Sequence, residues 1–374
     1  MLLTATSIAA CLWLIVLALP WRPWSTRESL TAQARTTRID FSDTTALIPA
    51  RDEARCIAEA LTALTQQGKL AGIILVDDQS SDGTGEIARN LRIDEFTVID
   101  GSVLPPGWSG KLWALKQAAR RVDTRYSLLL DADIALAPGL LAALRQRAAD
   151  NDLQLASIMA SLPMDTLWEK LLLPPFIYFF KLIYPFALSN RPASRIAAAA
   201  GGCILIETDK LREIGGFEAL HGAIIDDCTL ARLVKRAGGR TWIGLSRDVR
   251  AVRPYESLEN IWNMVARSAF TQLRYSTLLL VLCSVLLLVS FVVPILALVS
   301  GSGMVKLAAI TALAAMGLSY APTIQYYGLP GFWVLSLPIA ACLLLLMTWT
   351  SAVRYWGGER TRWKNRSYEK AAID

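Results

Sequence analysis

Four short stretches carry the residue types that could do chemistry. Asp131-Ala132-Asp133 follows an apolar run, and two carboxylates on an exposed turn can hold a hard divalent cation that keeps waters and takes phosphate oxygens as further ligands. Alone, the same triplet is also what an ordinary strand-end turn looks like. Asp77-Asp78-Gln79-Ser80-Ser81-Asp82-Gly83-Thr84 is more specific. Its carboxylates can accept from a base N–H or ribose hydroxyls, and its Ser/Asp/Gly run is expected to cap the next helix. Trp108-Ser109-Gly110-Lys111 sets a lysine beside a glycine, suited to a diphosphate at close range, although a solvated lysine reads the same way. The stretch AIIDDCTLARLVKRAGG, 223–239, opens an amphipathic helix on Asp226 and Asp227. Helical phase does not choose between them: Asp226 aligns with Leu230 and Leu233, Asp227 with Leu230 and Val234. One of the pair can cap the helix, and one can take a proton. His221, the only histidine, reads as a loop residue.

These residues need elements to position them. Apolar runs at Thr45–Pro49, Ile73–Val76, Phe96–Ile99 and Tyr126–Leu130 alternate with helical patterns, and Leu155–Ala160 and Cys203–Glu207 read as further strands. Fully apolar strands alternating with helices predict an α/β domain with a mostly parallel sheet buried on both faces. Ligands of such sheets bind past the carboxyl ends of the strands. Three strands end there in polar residues: Ala50-Arg51-Asp52-Glu53, Asp77-Asp78 and Asp131-Ala132-Asp133. Gly201-Gly202 and Gly215-Gly216 read as tight turns near an acceptor rather than phosphate cradles.

The chain of 374 residues is 53% apolar, and the excess sits at its ends. Residues 1–21, 275–305 and 307–353 carry no charged side chain. A membrane span needs about 20 apolar residues. The expectation is therefore an anchor at 1–21, a soluble domain at 40–275, a membrane region at 277–353 and a basic tail at 354–374. Within the last region, 277–300, 304–324 and 332–353 are the candidate spans, giving two to three crossings. The first segment lacks a basic leader, and its A-x-A-like site, Ala32-Gln33-Ala34, lies past the apolar run, so it reads as an uncleaved anchor. Positive residues follow it, which predicts an outside amino terminus and a domain in the cytoplasm. Three full crossings would leave the basic tail outside, against that rule. One segment is expected to be re-entrant or interfacial, with 304–324 the weakest span because of Lys306 and Pro322. The aromatic stretch 171–189 is broken by prolines and reads as interfacial, with a buried helix as the alternative.

The net charge of +6 clusters beside the apolar ends: Arg22, Arg27, Arg35 and Arg38, then Arg354, Arg360, Arg362, Lys364, Arg366 and Lys370. That placement suits anionic headgroups, and without aromatic-and-basic interleaving it excludes a nucleic-acid partner. The six cysteines are scattered, with neither C-x-x-C pairs nor metal-ligand spacing, so a reducing compartment is expected.

PARDE (49–53), VDDQSSDGT (76–84), SGKLWAL (109–115), DAD (131–133), AAGGCILI (199–206), GGFEAL (215–220), the helix opening on IDD and QLRYS (272–276) together resemble a family 2 glycosyltransferase with a GT-A nucleotide-binding fold, over about 43–275. Ile183-Tyr184-Pro185-Phe186, TQLRYS and RYWGGERTRWKNRSY are similar to the hopene-associated branch of bacterial hopanoid synthesis. The resemblance implies a nucleotide-sugar donor, UDP-sugar favoured, a Mg2+ or Mn2+ ion, and a lipid acceptor at the bacterial inner membrane. It implies that Asp78 contacts the nucleobase, with Arg51 and Glu53 lining the nucleoside pocket. By the same resemblance Asp133 is expected to be the metal ligand, with Asp131 nearer the ribose, and Lys111 is expected in the donor site. Asp227 falls on the catalytic base of a Glu-Asp pair that is Asp-Asp here, leaving Asp226 as a cap or acceptor-orienting residue. Gln272, Arg274 and Tyr275 fall on a Q-x-x-R-W element of processive synthases. Tyr275 stands where that element has Trp, which argues against polymer formation.

Overall fold

In the computed structural model, which describes residues 1–33, 39–363 and 366–369, the expected strands all form and two more join them. The strands are β1 (Asp40–Ala50), β2 (Lys69–Asp77), β3 (Phe96–Asp100), β4 (Tyr126–Leu130), β5 (Ile134–Leu136), β6 (Leu155–Ser161), β7 (Cys203–Glu207) and β8 (Thr241–Ala251). They make one sheet in the order β3-β2-β1-β4-β7-β6-β8-β5. Pairing is parallel from β3 through β4 and between β6 and β8; β7 runs antiparallel to both neighbours, and β5 antiparallel to β8.

The alternation of side chains explains the two-sided burial. Ile48, Leu75 and Leu128 pack under the Ile57–Thr65 helix, while Leu47, Val76 and Leu129 pack against Leu112 and Leu115 on the opposite face. Pro49 is tolerated in central β1 because pairing with β4 ends at Leu47↔Leu129. All the polar strand ends named above therefore open on one edge.

Helix Leu167–Ile183 runs through Pro174 and Pro175, where the sequence predicted a break. An interior proline costs roughly 3 kcal/mol. Burial of Leu172, Leu173, Ile177 and Tyr178 outweighs it, at about 1.5–3 kcal/mol per large side chain. Thr166 and Glu169 close its amino end as a capping box, and the Tyr178 hydroxyl meets Ser319 Oγ at 2.7 Å.

Three helices have the length and composition to cross a membrane: Thr277–Ser300, Gly303–Tyr326 and Gly331–Trp356, with Leu2–Ala18 a shorter apolar one. Trp13 of the short helix donates to the Ser290 carbonyl at 3.0 Å, and Ala9, Ala10 and Trp13 pack with Ala312, Ala315 and Met316. The far end of Gly303–Tyr326 returns to the sheet, where Arg247 Nε on β8 donates to the Tyr326 carbonyl at 2.8 Å. Gly331–Trp356 meets the sheet-bearing part along its length. Leu344 and Met347 pack on Leu172, Leu173, Ile261 and Val265, and Tyr355 stacks on Tyr275 at 4.2 Å. Its opposite side exposes Ile339, Leu346 and Val353. After it, β9 (Glu359–Trp363) and β10 (Arg366–Glu369) form an antiparallel hairpin. Arg35, Arg38, Lys364 and Lys370 lie outside the described residues. None of the six cysteines is in a disulfide.

Candidate active site

The loops after β1 and β2 are tied to each other before they hold anything else. Asp52 N–H donates to Ser80 Oγ at 3.0 Å, Glu53 N–H to Thr84 Oγ1 at 2.8 Å, and Ala54 N–H to Asp82 Oδ2 at 2.9 Å. In return Asp52 Oδ1 accepts from Ser81 N–H at 2.8 Å. The Ser/Asp/Gly run thus works mainly as a clasp between loops. Gly83 occupies the cap position of the next helix with no side-chain cap, and only Asp82 reaches its first N–H, that of Thr84, at 3.0 Å. This clasp presents Asp78, which is 1% exposed. The Arg51 guanidinium donates to the Asp78 and Gln79 carbonyls, so it sets the loop that carries Asp78.

Next along the edge, Glu53 and Asp133 share one cation. Arg253, two residues beyond β8, donates through Nε to Asp133 Oδ2 at 3.2 Å and through Nη2 to Glu53 Oε2. No motif marks Arg253 in the sequence, although it too is a polar residue just past a strand end.

The third group is the most compact. Lys111 Nζ lies 2.6 Å from Asp131 Oδ1 and donates to the Gly201 carbonyl at 3.2 Å. Gly201 N–H donates to Asp227 Oδ2 at 2.9 Å, and Asp227 Oδ1 accepts from Cys228 N–H at 2.7 Å. A side chain on Gly201 would have its Cβ 3.0 Å from Lys111 Nζ and 3.4 Å from Asp227 Oδ2, so this glycine makes room for both. The Asp226–Arg236 helix is fixed by burial of Cys228, Leu230, Ala231 and Val234. Asp226 is its first helical residue, not its cap; Ile225 holds that position and supplies no side-chain bond. The cap reading of Asp226 is therefore corrected, because a capping side chain must sit one residue outside the helical backbone.

Electrostatics separate the members of this group. Burial, with the Asp226 charge beside it, pushes Asp227 up to about 6 even though Lys111 and two backbone N–H groups favour its ionised form. Burial opposes the Lys111 charge, but Asp131, Asp226 and Asp227 overcome it and hold the ammonium above its ordinary value. The site thus sets a cation beside a carboxylate whose neutral form is favoured by burial and by the neighbouring Asp226 charge.

Gln272 and Tyr275 lie just before the apolar helix Thr277–Ser300. Tyr184 OH donates to Gln272 Oε1 at 2.8 Å, and burial pushes that hydroxyl up to about 12. Tyr275 OH accepts from Thr271 Oγ1 at 3.2 Å. Arg274 is exposed, and among the described residues it has no side-chain partner; both it and Tyr275 adopt left-handed backbone, with φ of 52° and 56°. His221 packs edge-on to Trp108 at 5.1 Å and stays in a loop.

Among the described residues no three acidic, cysteine or histidine side chains gather into a metal cage. Asp131 and Asp133 nevertheless put two hard oxygen donors on one turn. That donor set fits a cation held mainly by water and by diphosphate oxygens.

The sequence model of glycosyl transferase family 2 matches residues 45–215, a span that ends before Asp226 and Asp227. Among curated relatives, 4,4'-diaponeurosporenoate glycosyltransferase of Staphylococcus aureus (strain bovine RF122 / ET3-1) is 29% identical over 102 residues, which is 27% of each chain. Its namesake in Staphylococcus haemolyticus (strain JCSC1435) is 32% identical over 93 residues, 24% of each. The chain thus matches about a quarter of the length of these relatives. Among solved structures, the mannosyltransferase PcManGT of Pyrobaculum calidifontis, in complex with GDP-Man and Mn2+, superimposes with a TM-score of 0.57 at 18% identity, covering 96% of this chain and 100% of that one.

Proposed function

We propose that the chain is a membrane-bound inverting glycosyltransferase that moves one sugar from a nucleotide-sugar to a hydroxyl of a lipid; the match of the glycosyl transferase family 2 model to residues 45–215 supports this reading. The observation that carries this reading is the Lys111–Gly201–Asp227 arrangement, with Asp227 raised toward neutrality and Lys111 on Asp131.

In the proposed reaction Asp227 takes the proton of the acceptor hydroxyl as its oxygen bonds to the sugar's anomeric carbon. The bond from that carbon to the diphosphate breaks, and its electron pair leaves with the nucleoside diphosphate. One base opposite the leaving group gives a single displacement and inverted configuration. Lys111 stabilises the developing charge of the diphosphate. Asp133 would hold a divalent cation, Mg2+ or Mn2+, with Asp131 beside it, and such an ion neutralises the diphosphate. Asp78 receives the base and Glu53 shapes the nucleoside pocket through Arg253. The UDP-sugar class is the first donor to test; the structural neighbour holds GDP-Man, so a GDP-sugar is the second.

The lipid acceptor is supported by the exposed apolar side chains of Thr277–Ser300, among them Leu278 and Leu282, which begin right after the Gln272–Tyr275 element. A relative that by its name glycosylates diaponeurosporenoate agrees with it. A hopanoid alcohol is the acceptor to try first. We assign the domain to the cytoplasmic face of the bacterial inner membrane. Crossings are assigned to Leu2–Ala18, Thr277–Ser300 and Gly303–Tyr326, with Gly331–Trp356 lying along the interface beneath the domain. The test is a donor screen with purified protein and bacterial lipid extract, read by product mass. A lipid heavier by one sugar supports the reading; a ladder of masses would make the protein a polymer synthase, and no transfer from any donor would remove the enzymatic reading.

A further inference from the structure

We propose that Arg366 of the carboxyl-terminal hairpin belongs to the donor site, where it fixes the Asp78 carboxylate as the acceptor that reads a nucleobase N–H. The inference rests on the donor site proposed above and adds a residue from the far end of the chain.

Two arginines tie the hairpin across the site. Arg360 Nη2 donates to the Gly222 carbonyl at 2.9 Å, and its Nε reaches Tyr275 OH at 3.4 Å, on the acceptor side. At the other end Arg366 Nη1 donates to Asp78 Oδ2 at 2.6 Å and Nη2 to Gln79 Oε1 at 2.8 Å. Both guanidinium arms are thus spent on adjacent residues of one loop, a fork that a lysine cannot reproduce.

The contact leaves a specific vacancy of bonding on Asp78. Its Oδ1 is buried and has no hydrogen-bond partner among the described residues. A buried acceptor without a donor costs about 1–3 kcal/mol, so this oxygen calls for a ligand N–H. Because an arginine can only donate, Gln79 must turn its oxygen to Arg366, which leaves the amide NH2 for a carbonyl. An N–H next to a carbonyl is the edge of uracil or guanine. Burial, with the Asp77 charge beside it, raises Asp78 toward its neutral form even though Arg366 and Arg51 work against it. Without Arg366 the carboxyl would more often carry a proton where the base needs an acceptor.

The experiment is calorimetric titration of the full-length protein in detergent with UDP and with GDP, in the presence of Mn2+. Arg366→Ala is expected to raise the dissociation constant of the preferred diphosphate about tenfold. It should also raise the donor KM while kcat stays within about twofold. Arg366→Lys keeps the charge without the fork and should fall between the two; it carries the test alone if the alanine variant is not monodisperse. Asp78→Asn separates the two layers of the argument. If it leaves nucleotide affinity unchanged, the donor-site reading itself fails. If it weakens binding while Arg366→Ala binds as well as wild type, or more tightly as removal of a plug would, the role given to Arg366 is overturned.

Discussion

Lys111 and Asp227 meet on the two sides of one peptide residue: Lys111 Nζ donates to the Gly201 carbonyl at 3.2 Å, and Gly201 N–H donates to Asp227 Oδ2 at 2.9 Å. The cation proposed for the leaving group and the carboxylate proposed for the acceptor are thereby held by the same backbone unit. Movement of either is felt by the other.

That coupling sets the pH dependence. Asp227 must be ionised to accept a proton, so kcat should rise with pH through about 6 and level off above it. Asp226→Asn removes a charge that raises Asp227, and the rising limb should move to lower pH. Lys111→Met removes a charge that lowers it, and what activity is left should rise at higher pH. A limb at the wild-type pH in both variants would contradict the coupling. Initial rates from pH 4.5 to 8.5 at saturating donor are the measurement.

Arg253 links Glu53 and Asp133, and Glu53 is 8% exposed. Arg253→Met should destabilise the protein by about 1–3 kcal/mol, because it strips a buried carboxylate of that cation. Adding Glu53→Gln should recover part of the loss. Thermal unfolding of the single and double variants decides it; purely additive losses would mean that the two residues do not depend on each other.

The contact of Arg366 with Asp78 puts the hairpin beside the sheet domain, so the tail should share the side of the membrane proposed for that domain. A reporter fused after Asp374 should behave as cytoplasmic, fluorescing if it is a fluorescent protein and inactive if it is a periplasmic phosphatase. An active phosphatase after Asp374, with a reporter inserted in the sheet domain still cytoplasmic, would mean that Gly331–Trp356 crosses the membrane and that the hairpin cannot reach Asp78.

Much of this was legible in the sequence because burial on both faces writes itself as unbroken apolar runs. β1, β2, β3, β4, β6 and β7 and the polar residues at their ends could be read in that way. β8 could not, since Arg247, Asp248 and Arg250 interrupt its apolar start and hid both the strand and Arg253 behind it. The prolines of the 167–183 helix misled because tertiary packing overrides local propensity. The division of roles between Asp226 and Asp227 depends on contacts from Gly201 and Lys111, distant in the chain and invisible to helical phase. The same holds for the tail: its arginines read as membrane-facing charge, and only the fold carries Arg366 back to Asp78.

The central claim is that Asp227 is the base, and a comparison of Asp227→Asn with Asp226→Asn tests it most directly. Each variant is assayed for sugar transfer to lipid and, separately, for nucleotide affinity. Asp227→Asn should lower kcat by at least about 10²-fold while nucleotide affinity holds, and Asp226→Asn should keep most of its turnover. Loss of turnover in Asp226→Asn with Asp227→Asn still active would contradict the account.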